Sequence, residues 1–367
     1  MAEVLSGQAL NRATLARQLL LRRSADRSVL DTVHHLVGMQ AQVPLNPYLG
    51  LWSRLDGFRP EQLSQLLLDR KLVRIVVMRG TIHLVTADDC LLLRPLVQPV
   101  LDAELRRHME YGPDLRDADF GPVLAYVRPL LAQRAMTGAQ LRAAIAERFP
   151  DLNAAAFAYA CRNKLAFVQV PPRGVWGRSA QVASTTAEAW LGRPLAEHPA
   201  IDEVVLRYFG VFGPASVADV GAWSRLTGLR EVVERLRPRL VTFRDERGRE
   251  LFDLPDAPRP DPGTPAPVRF LPEYDNVLLS HDDRSRFASG RAFVVQAPVH
   301  GSVLSDGCFF GTWSIARAGD RVTLVLRHGV GADNAALAAV EAEGLHAIRF
   351  LEPDAVAHHV RLEASGG

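Results

Sequence analysis

The order in which helix-like and strand-like periodicities recur is the feature that most constrains this chain. Three times, segments with apolar residues at three-to-four spacing, which is typical of helices, are followed by two short strand-like segments around a tight turn. The helical segments are 11–23, 29–39 and 59–71, then 122–134, 137–149 and 152–164, then 204–213, 215–228 and 229–240. The strand pairs are 72–86, 165–185 and 240–254, with turns at Arg79-Gly80, within 171–177 and at Arg247-Gly248.

Helices followed by a hairpin form the winged-helix motif, so the pattern predicts an α+β protein with three tandem winged-helix units. We place these units at 1–110, 111–198 and 199–256. A proline-rich segment, 254–268, then leads into a fourth part, 257–367, predicted to be a small β-rich domain. Its predicted strands are 270–280, 292–296, 308–317 and 321–327, and its closing helix is 334–352. Winged helices also serve as scaffolds and protein-docking modules, so the motif alone does not establish DNA contact.

Charge is unevenly distributed along the chain. Residues 1–200 hold 24 Lys+Arg against 18 Asp+Glu, whereas residues 256–367 hold 10 against 14. A basic front half favours an anionic partner such as DNA, and an ordinary solvated surface is the alternative.

Several classes of protein are disfavoured by composition. The apolar runs are too short to cross a bilayer, and the first residues lack the pattern of a secretory signal. Cys90, Cys161 and Cys308 lie far apart, which indicates neither a disulfide framework nor a zinc site. We therefore expect a protein of the bacterial cytoplasm that needs no metal and no other cofactor.

Two glutamines stand where the second predicted helix must end. Gln40 and Gln42 flank Ala41 and are followed by Pro44 and Pro47. Each proline pushes the preceding residue toward extended backbone, and residues two apart share a face in extended chain. We therefore expect both amides to face one way, with Ala41 pointing into the protein. Convergent amides can hold a water, a sugar hydroxyl or a base edge, or they can simply tie down the loop's own backbone.

Five segments together resemble the winged-helix DNA glycosylase family of AlkZ and YcaQ. They are 39–58, 74–89, 208–228, 270–287 and 309–317, and the similarity extends from about residue 9 to residue 350. In that family a Gln–apolar–Gln motif marks the AlkZ branch and a Gln–apolar–Asp motif marks the YcaQ branch. Gln40-Ala41-Gln42 matches the former. The resemblance implies Gln40 and Gln42 as catalytic residues and double-stranded DNA as the substrate.

The implied activity is excision of N7-alkylated purines, including unhooking of interstrand crosslinks made by azinomycin-type antibiotics, and hence self-resistance to them. Cleavage of an N-glycosidic bond passes through an oxocarbenium-like sugar. An N7-alkylguanine is already cationic and leaves easily, so two amides that orient water and steady the sugar cation suffice without a carboxylate. A non-catalytic DNA-binding regulator or architectural protein is the alternative.

A chain with its own tandem modules has no need to dimerise, so we expect a monomer.

Two further groups of residues are candidates for contact with DNA or substrate. Arg79 and His83 belong to the first hairpin, where His83 either lines the site or is packed as a structural residue. In the second hairpin, Arg173 and Arg178 flank Trp176; a basic tip with an exposed aromatic suits a DNA groove, and the alternative is a wing folded against its own domain.

Three other features have structural interpretations. Asp282, Asp283 and Arg284 are expected to form a salt-bridged loop rather than a catalytic centre. The adjacent pairs His34-His35 and His358-His359 lack the spacing of metal ligands.

Overall fold

A computed structural model describes residues 3–288, 300–329 and 331–364. Helices and strands alternate along the chain, and the described strands form three sheets, so the predicted α+β class is confirmed. The predicted strand 292–296 lies outside the described residues.

The first repeat, the predicted unit 1–110, contains the three predicted helices and the predicted strand pair, together with three additional helices. Its helices are α1 (Gly7–Arg17), α2 (Val29–His35), α3 (Asn46–Trp52), α4 (Pro60–Leu68), α5 (Ala87–Leu96) and α6 (Gln98–Arg107), and its strands are β1 (Val4–Leu5), β2 (Met39–Gln40), β3 (Leu72–Val76) and β4 (Ile82–Thr86). We expected Pro47 to keep Asn46 extended, but Asn46 begins α3 instead. Proline is well tolerated in the first turn of a helix, because the N–H that it lacks would have no partner there.

The second repeat also has the predicted helices and hairpin. It contains α7 (Gly112–Leu115), α8 (Gly121–Gln133), β5 (Met136–Thr137), α9 (Gly138–Arg148), α10 (Ala154–Lys164), β6 (Phe167–Gln169), β7 (Ala183–Thr186) and α11 (Ala187–Leu191). Thr137 caps α9 by accepting a hydrogen bond from the Gln140 amide. Pro129 does not divide α8, which continues on both sides of it.

The third repeat matches its prediction most closely. It contains α12 (Ile201–Phe212), α13 (Val217–Ser224), α14 (Leu229–Leu236), β8 (Val241–Asp245) and β9 (Glu250–Asp253). The short turn between α13 and α14 uses left-handed backbone at Arg225 and Gly228. Local signals, a Ser216 cap and this turn, fix both helix boundaries.

The C-terminal part is a five-stranded sheet with one packed helix. Its elements are β10 (Arg269–Leu271), α15 (Asn276–Leu279), β11 (Gly301–Ser305), β12 (Cys308–Ala318), β13 (Arg321–His328), α16 (Asn334–Leu351) and β14 (Ala357–Ala364). The strand expected over 270–280 is wrong beyond Leu271, because Asp275 caps the short helix α15 there. Strand β14, which was not predicted, adds in parallel to β13 after α16 crosses over.

Sheet pairing joins segments that the sequence pattern separates. Strands of the first two repeats form one six-stranded sheet in the order β2-β4-β3-β6-β7-β5, and β1 pairs in parallel with β8 of the third repeat. The largest hydrophobic cluster likewise combines side chains from the first and third repeats, among them Val33, Tyr48, Phe209 and Trp223. The winged-helix assignment and the unit boundaries stay predictions.

Candidate active site

The Gln40-Ala41-Gln42 segment runs along the edge of the six-stranded sheet. Gly38 ends the preceding turn at φ +90°, where a Cβ would lie 2.7 Å from Val85 Cγ1. Met39 and Gln40 then pair with β4, and the Ala41 amide donates to the Ile82 carbonyl at 2.7 Å. Ala41 is fully buried, as expected. The chain is therefore fixed by backbone hydrogen bonds to β4 as far as Ala41, with Gln40 on extended backbone, and it bends at Gln42.

The two glutamines differ in their surroundings. Gln40 is 7% exposed and lines a cavity of about 10 Å³, whereas Gln42 is exposed and lines a cavity of about 500 Å³. The Gln42 side-chain oxygen accepts a long hydrogen bond, 3.4 Å, from the Ile82 amide. The Gln40 side chain is therefore buried, whereas the Gln42 side chain is accessible to solvent.

Arg79 holds the Gln40 amide. This residue sits at φ +59° in the turn between β3 and β4, and its Nη2 donates to Gln40 Oε1 at 2.7 Å and to Asn276 Oδ1 at 2.8 Å. Its Nη1 donates to the Trp223 carbonyl at 3.1 Å. Burial, followed by the charges of Arg225 and Arg284, lowers the pKa of Arg79 to about 10. No carboxylate of the described residues forms a salt bridge with this guanidinium.

His83 lies beneath the same arginine. Its side chain is fully buried, and Nδ1 donates to the Thr81 carbonyl at 3.0 Å. Nε2 then faces Arg79 Nη2 at 3.5 Å. Burial and the charge of Arg79 lower the pKa of His83 to about 3, so the ring is neutral at physiological pH. Of the two alternatives, the structure favours a packed histidine, one that contacts the residue holding Gln40.

A second arginine, which is buried, donates a hydrogen bond to the backbone between the glutamines. Arg74, on β3, is 2% exposed, and its Nη2 donates to the Ala41 carbonyl at 2.7 Å. Burial and the nearby charge of Arg173 lower the pKa of Arg74 to about 10. Two cations without described carboxylate partners, the buried Arg74 and the half-buried Arg79, therefore contact this tripeptide. Such costly groups cluster at functional sites.

Residues from distant segments complete the surroundings of Gln40. Asn276 Nδ2 donates to the Gly38 carbonyl at 3.2 Å, in addition to accepting from Arg79. Asp275 lines the small cavity, but both of its oxygens accept from Arg54, at 2.8 and 2.9 Å. The carboxylate is therefore engaged in an ion pair. The sequence reasoning missed Asn276 and Arg74, although both lie within the segments that carry the family resemblance.

The loop between β6 and β7 folds back onto the protein. Trp176 is half-buried, with its ring centroid 4.9 Å from that of Tyr48 and 5.5 Å from that of Phe350. Of the two alternatives, the structure favours a loop that folds back, because the indole packs against the body of the protein. Arg173 lines the larger cavity and Arg178 is exposed. Contact of either arginine with DNA stays a prediction.

The Asp282-Asp283-Arg284 loop is salt-bridged, as expected. Asp283 Oδ2 accepts from Arg249 Nη2 at 2.5 Å and from Arg247 Nη1 at 3.2 Å. In the part of the chain that the structure describes, no group of three His, Cys, Asp or Glu side chains is arranged to hold a metal ion. None of the described helices is both long enough and apolar enough to cross a membrane.

This site lies in a part of the chain that matches a known protein family. The model of a family described as "DNA glycosylase AlkZ-like" matches residues 33–350, a range that contains Gln40, Gln42, Arg74, Arg79 and His83. The chain therefore belongs to the AlkZ-like DNA glycosylase family. It is a DNA glycosylase, and its substrate is DNA.

Among solved structures, the DNA glycosylase AlkZ of Streptomyces sahachiroi has the same fold. The two chains superpose with a TM-score of 0.73 at 20% sequence identity, over 98% of this chain and 100% of that one. Curated protein sequences give no significant match.

Proposed function

We propose that this DNA glycosylase excises N7-alkylated purines from duplex DNA and unhooks interstrand crosslinks formed by alkylation, including those of azinomycin-type compounds, which would confer self-resistance. The observation that carries the proposal is the fixed Gln40-Ala41-Gln42 segment, with Arg79 on the Gln40 amide and Arg74 on the Ala41 carbonyl. The enzyme acts as a monomer. The family finding argues against the non-catalytic regulator.

The substrate class follows from the chemistry of the site. Neutral bases are poor leaving groups and require an acid, whereas an N7-alkylpurine carries its positive charge before the bond breaks. His83 is neutral and buried, and Asp275 is engaged by Arg54, so neither supplies an acid to the base. The two amides can still orient the attacking water and stabilise the charge that develops on the sugar. These two effects suffice when the leaving group is already cationic.

The hydrogen bonds of Gln40 indicate a different role for each of the two amides. Because Gln40 Oε1 accepts from Arg79, its Nε2 is the group left to donate. In this mechanism Gln40 Nε2 donates a hydrogen bond to the attacking water, and Gln42 Oε1 accepts a hydrogen bond from that water and stabilises the cationic sugar. The alkylated base leaves as a neutral molecule with the electrons of the broken bond, and the proton that the water loses on adding to the sugar passes to solvent. The cavity beside Gln40 has room for about one water and is lined by polar groups of Gln18, Asn46 and Asn276.

The direct experiment measures release of free base from defined duplexes. The wild-type protein should release N7-methylguanine from methylated DNA and should hardly act on uracil or hypoxanthine, which are neutral. Absence of N7-methylguanine release would refute the substrate class. Efficient release of uracil or hypoxanthine would refute the mechanism, since two amides would then have activated a poor leaving group.

A further inference from the structure

The larger cavity lies directly beside Gln42. It measures about 500 Å³ and opens between the sheet strands β3 and β6, the helices α9 and α10, and the loop that carries Arg173. Gln42 and Ile82 form part of its wall, so an occupant would lie next to the candidate catalytic segment.

The wall carries positive charge without a carboxylate. Four arginines line the cavity, namely Arg74, Arg142, Arg162 and Arg173, and none of its described lining residues is Asp or Glu. Glu104, which accepts a hydrogen bond from Tyr159 Oη, is not part of the wall. Four cations around one concave surface repel each other, so an anion bound there would relieve an unfavourable charge.

Buried donors without partners lie at the base of this surface. Arg74 is 2% exposed, and its Nε and Nη1 have no hydrogen-bond partner among the described residues. The same holds for Nε of Arg173. Gln169 Oε1 also lacks a partner, and this residue pairs with Arg74 across the strands. These nitrogens are closed off from solvent, so the charge of Arg74 is uncompensated from within the protein, which favours an anion in the cavity above it.

The N-terminus of helix α9 adds a further positive end. Thr137 and Gly138, at the start of this 11-residue helix, both line the cavity. Thr137 caps the Gln140 amide, and the macrodipole places partial positive charge at the same end. Helix N-termini and arginines together are a common site for phosphate.

We propose that this cavity binds a backbone phosphodiester of the substrate DNA, and thereby places the damaged nucleotide over Gln42. Arg142 and Arg173 contact the phosphate, and Arg74 supplies charge from beneath. The proposal deepens, and rests on, the proposed function, because it concerns how the same site holds its DNA. A free oxyanion has the same chemistry as a phosphodiester, so the experiment must separate the two.

The test compares Arg142→Gln and Arg173→Gln with Arg148→Gln, which removes the same charge at the far end of α9 and outside the cavity. Binding to undamaged duplex is measured as a function of salt, with thermal unfolding as the check on folding. The double variant Arg142→Gln/Arg173→Gln should reduce the slope of log K against log[salt] by about 0.9, the value for one lost phosphate contact; each single variant should reduce it by less, and Arg148→Gln should leave it unchanged. Inorganic phosphate at constant ionic strength serves as the free-anion probe.

Equal slopes for the cavity variants, Arg148→Gln and the wild type would overturn the proposal. The proposal would also be overturned if the slopes stay unchanged while inorganic phosphate raises the melting temperature of the wild type and both cavity variants abolish that shift. The cavity would then bind a free anion and not the DNA backbone. Undamaged DNA is used so that the two proposals fail separately. A wild type that binds through these arginines yet releases no N7-methylguanine would refute the proposed substrate and leave the phosphate site in place.

Discussion

Arg79 gives the clearest residue-scale link between structure and mechanism. Its guanidinium spans three acceptors, on Gln40, Asn276 and Trp223, that come from distant parts of the chain. A planar fork with fixed donor directions suits this arrangement, whereas a lysine ammonium would reach fewer of the acceptors. Arg79 thus acts as a positioning residue for the Gln40 amide.

Arg79→Lys keeps the charge and removes the fork. We expect kcat for N7-methylguanine release to fall by on the order of 10-fold to 10²-fold, while affinity for undamaged duplex stays near that of the wild type, because the loss is one of orientation. The double variant with Gln40→Ala should be no slower than Gln40→Ala alone. Additive losses in single-turnover rates would show that Arg79 acts independently of Gln40.

The sequence predicted the local backbone around Gln40 but not the residues that contact it, and the catalytic role of the two glutamines stays a prediction. The signals there are local, and the structure has the expected extended backbone at Gln40 and the expected burial of Ala41, although the chain bends at Gln42. Asn276 lies 238 positions from Gly38, to which it donates, and Arg74 is a charged residue inside a strand of apolar character. Such partners arise from tertiary packing, which a single sequence does not encode in any spacing.

At the scale of elements, a buried ion pair joins the ends of three helices near Gln40. Arg54 follows α3 and forms two hydrogen bonds with Asp275, the cap of α15, and one at 3.2 Å with Gln18, the C-terminal cap of α1. Both partners of the pair are almost completely buried. The pair therefore fixes how the C-terminal part sits against the first repeat.

Arg54→Met should destabilise the protein strongly. It leaves Asp275 buried without its cation, and removal of one partner from a buried pair typically costs about 3–5 kcal/mol. Arg193→Met, which breaks the exposed pair with Asp88, is the matched control and should cost about 1 kcal/mol or less. Urea unfolding followed by circular dichroism measures both. Similar losses for the two variants would mean that the buried pair contributes no more than a surface pair.

Local signals explain why most elements were predicted and their assembly was not. The caps Thr137 and Ser216 and the turn at Gly228 act within a few residues, so helix boundaries follow from them. Pairing of β3 with β6, in contrast, joins two repeats and depends on contacts roughly a hundred residues apart. The interpretation of separate units missed this shared sheet for that reason.

At the scale of the whole molecule, two groups of arginines lie on either side of the Gln40-Ala41-Gln42 segment. Arg79, with the nearby charges of Arg225 and Arg284, lies on the Gln40 side, and the arginines of the larger cavity lie on the Gln42 side. The basic front half of the chain indicates this only weakly. Folding places both groups of arginines around the glutamines, although Arg225 and Arg284 come from outside the front half, and this suits a duplex whose phosphates flank the reacting nucleotide.

The central claim is that the two glutamines perform the excision. Its most direct test is the single-turnover rate of N7-methylguanine release by the wild type, Gln40→Ala and Gln42→Ala, with the exposed helix residue Gln65→Ala as control. Loss of one group that orients or stabilises charge typically costs on the order of 10²-fold, about 2.7 kcal/mol. We expect that loss in each site variant, with normal folding, and a wild-type rate for Gln65→Ala. Wild-type rates in Gln40→Ala and Gln42→Ala would contradict the account, because the fixed segment would then have no part in breaking the bond.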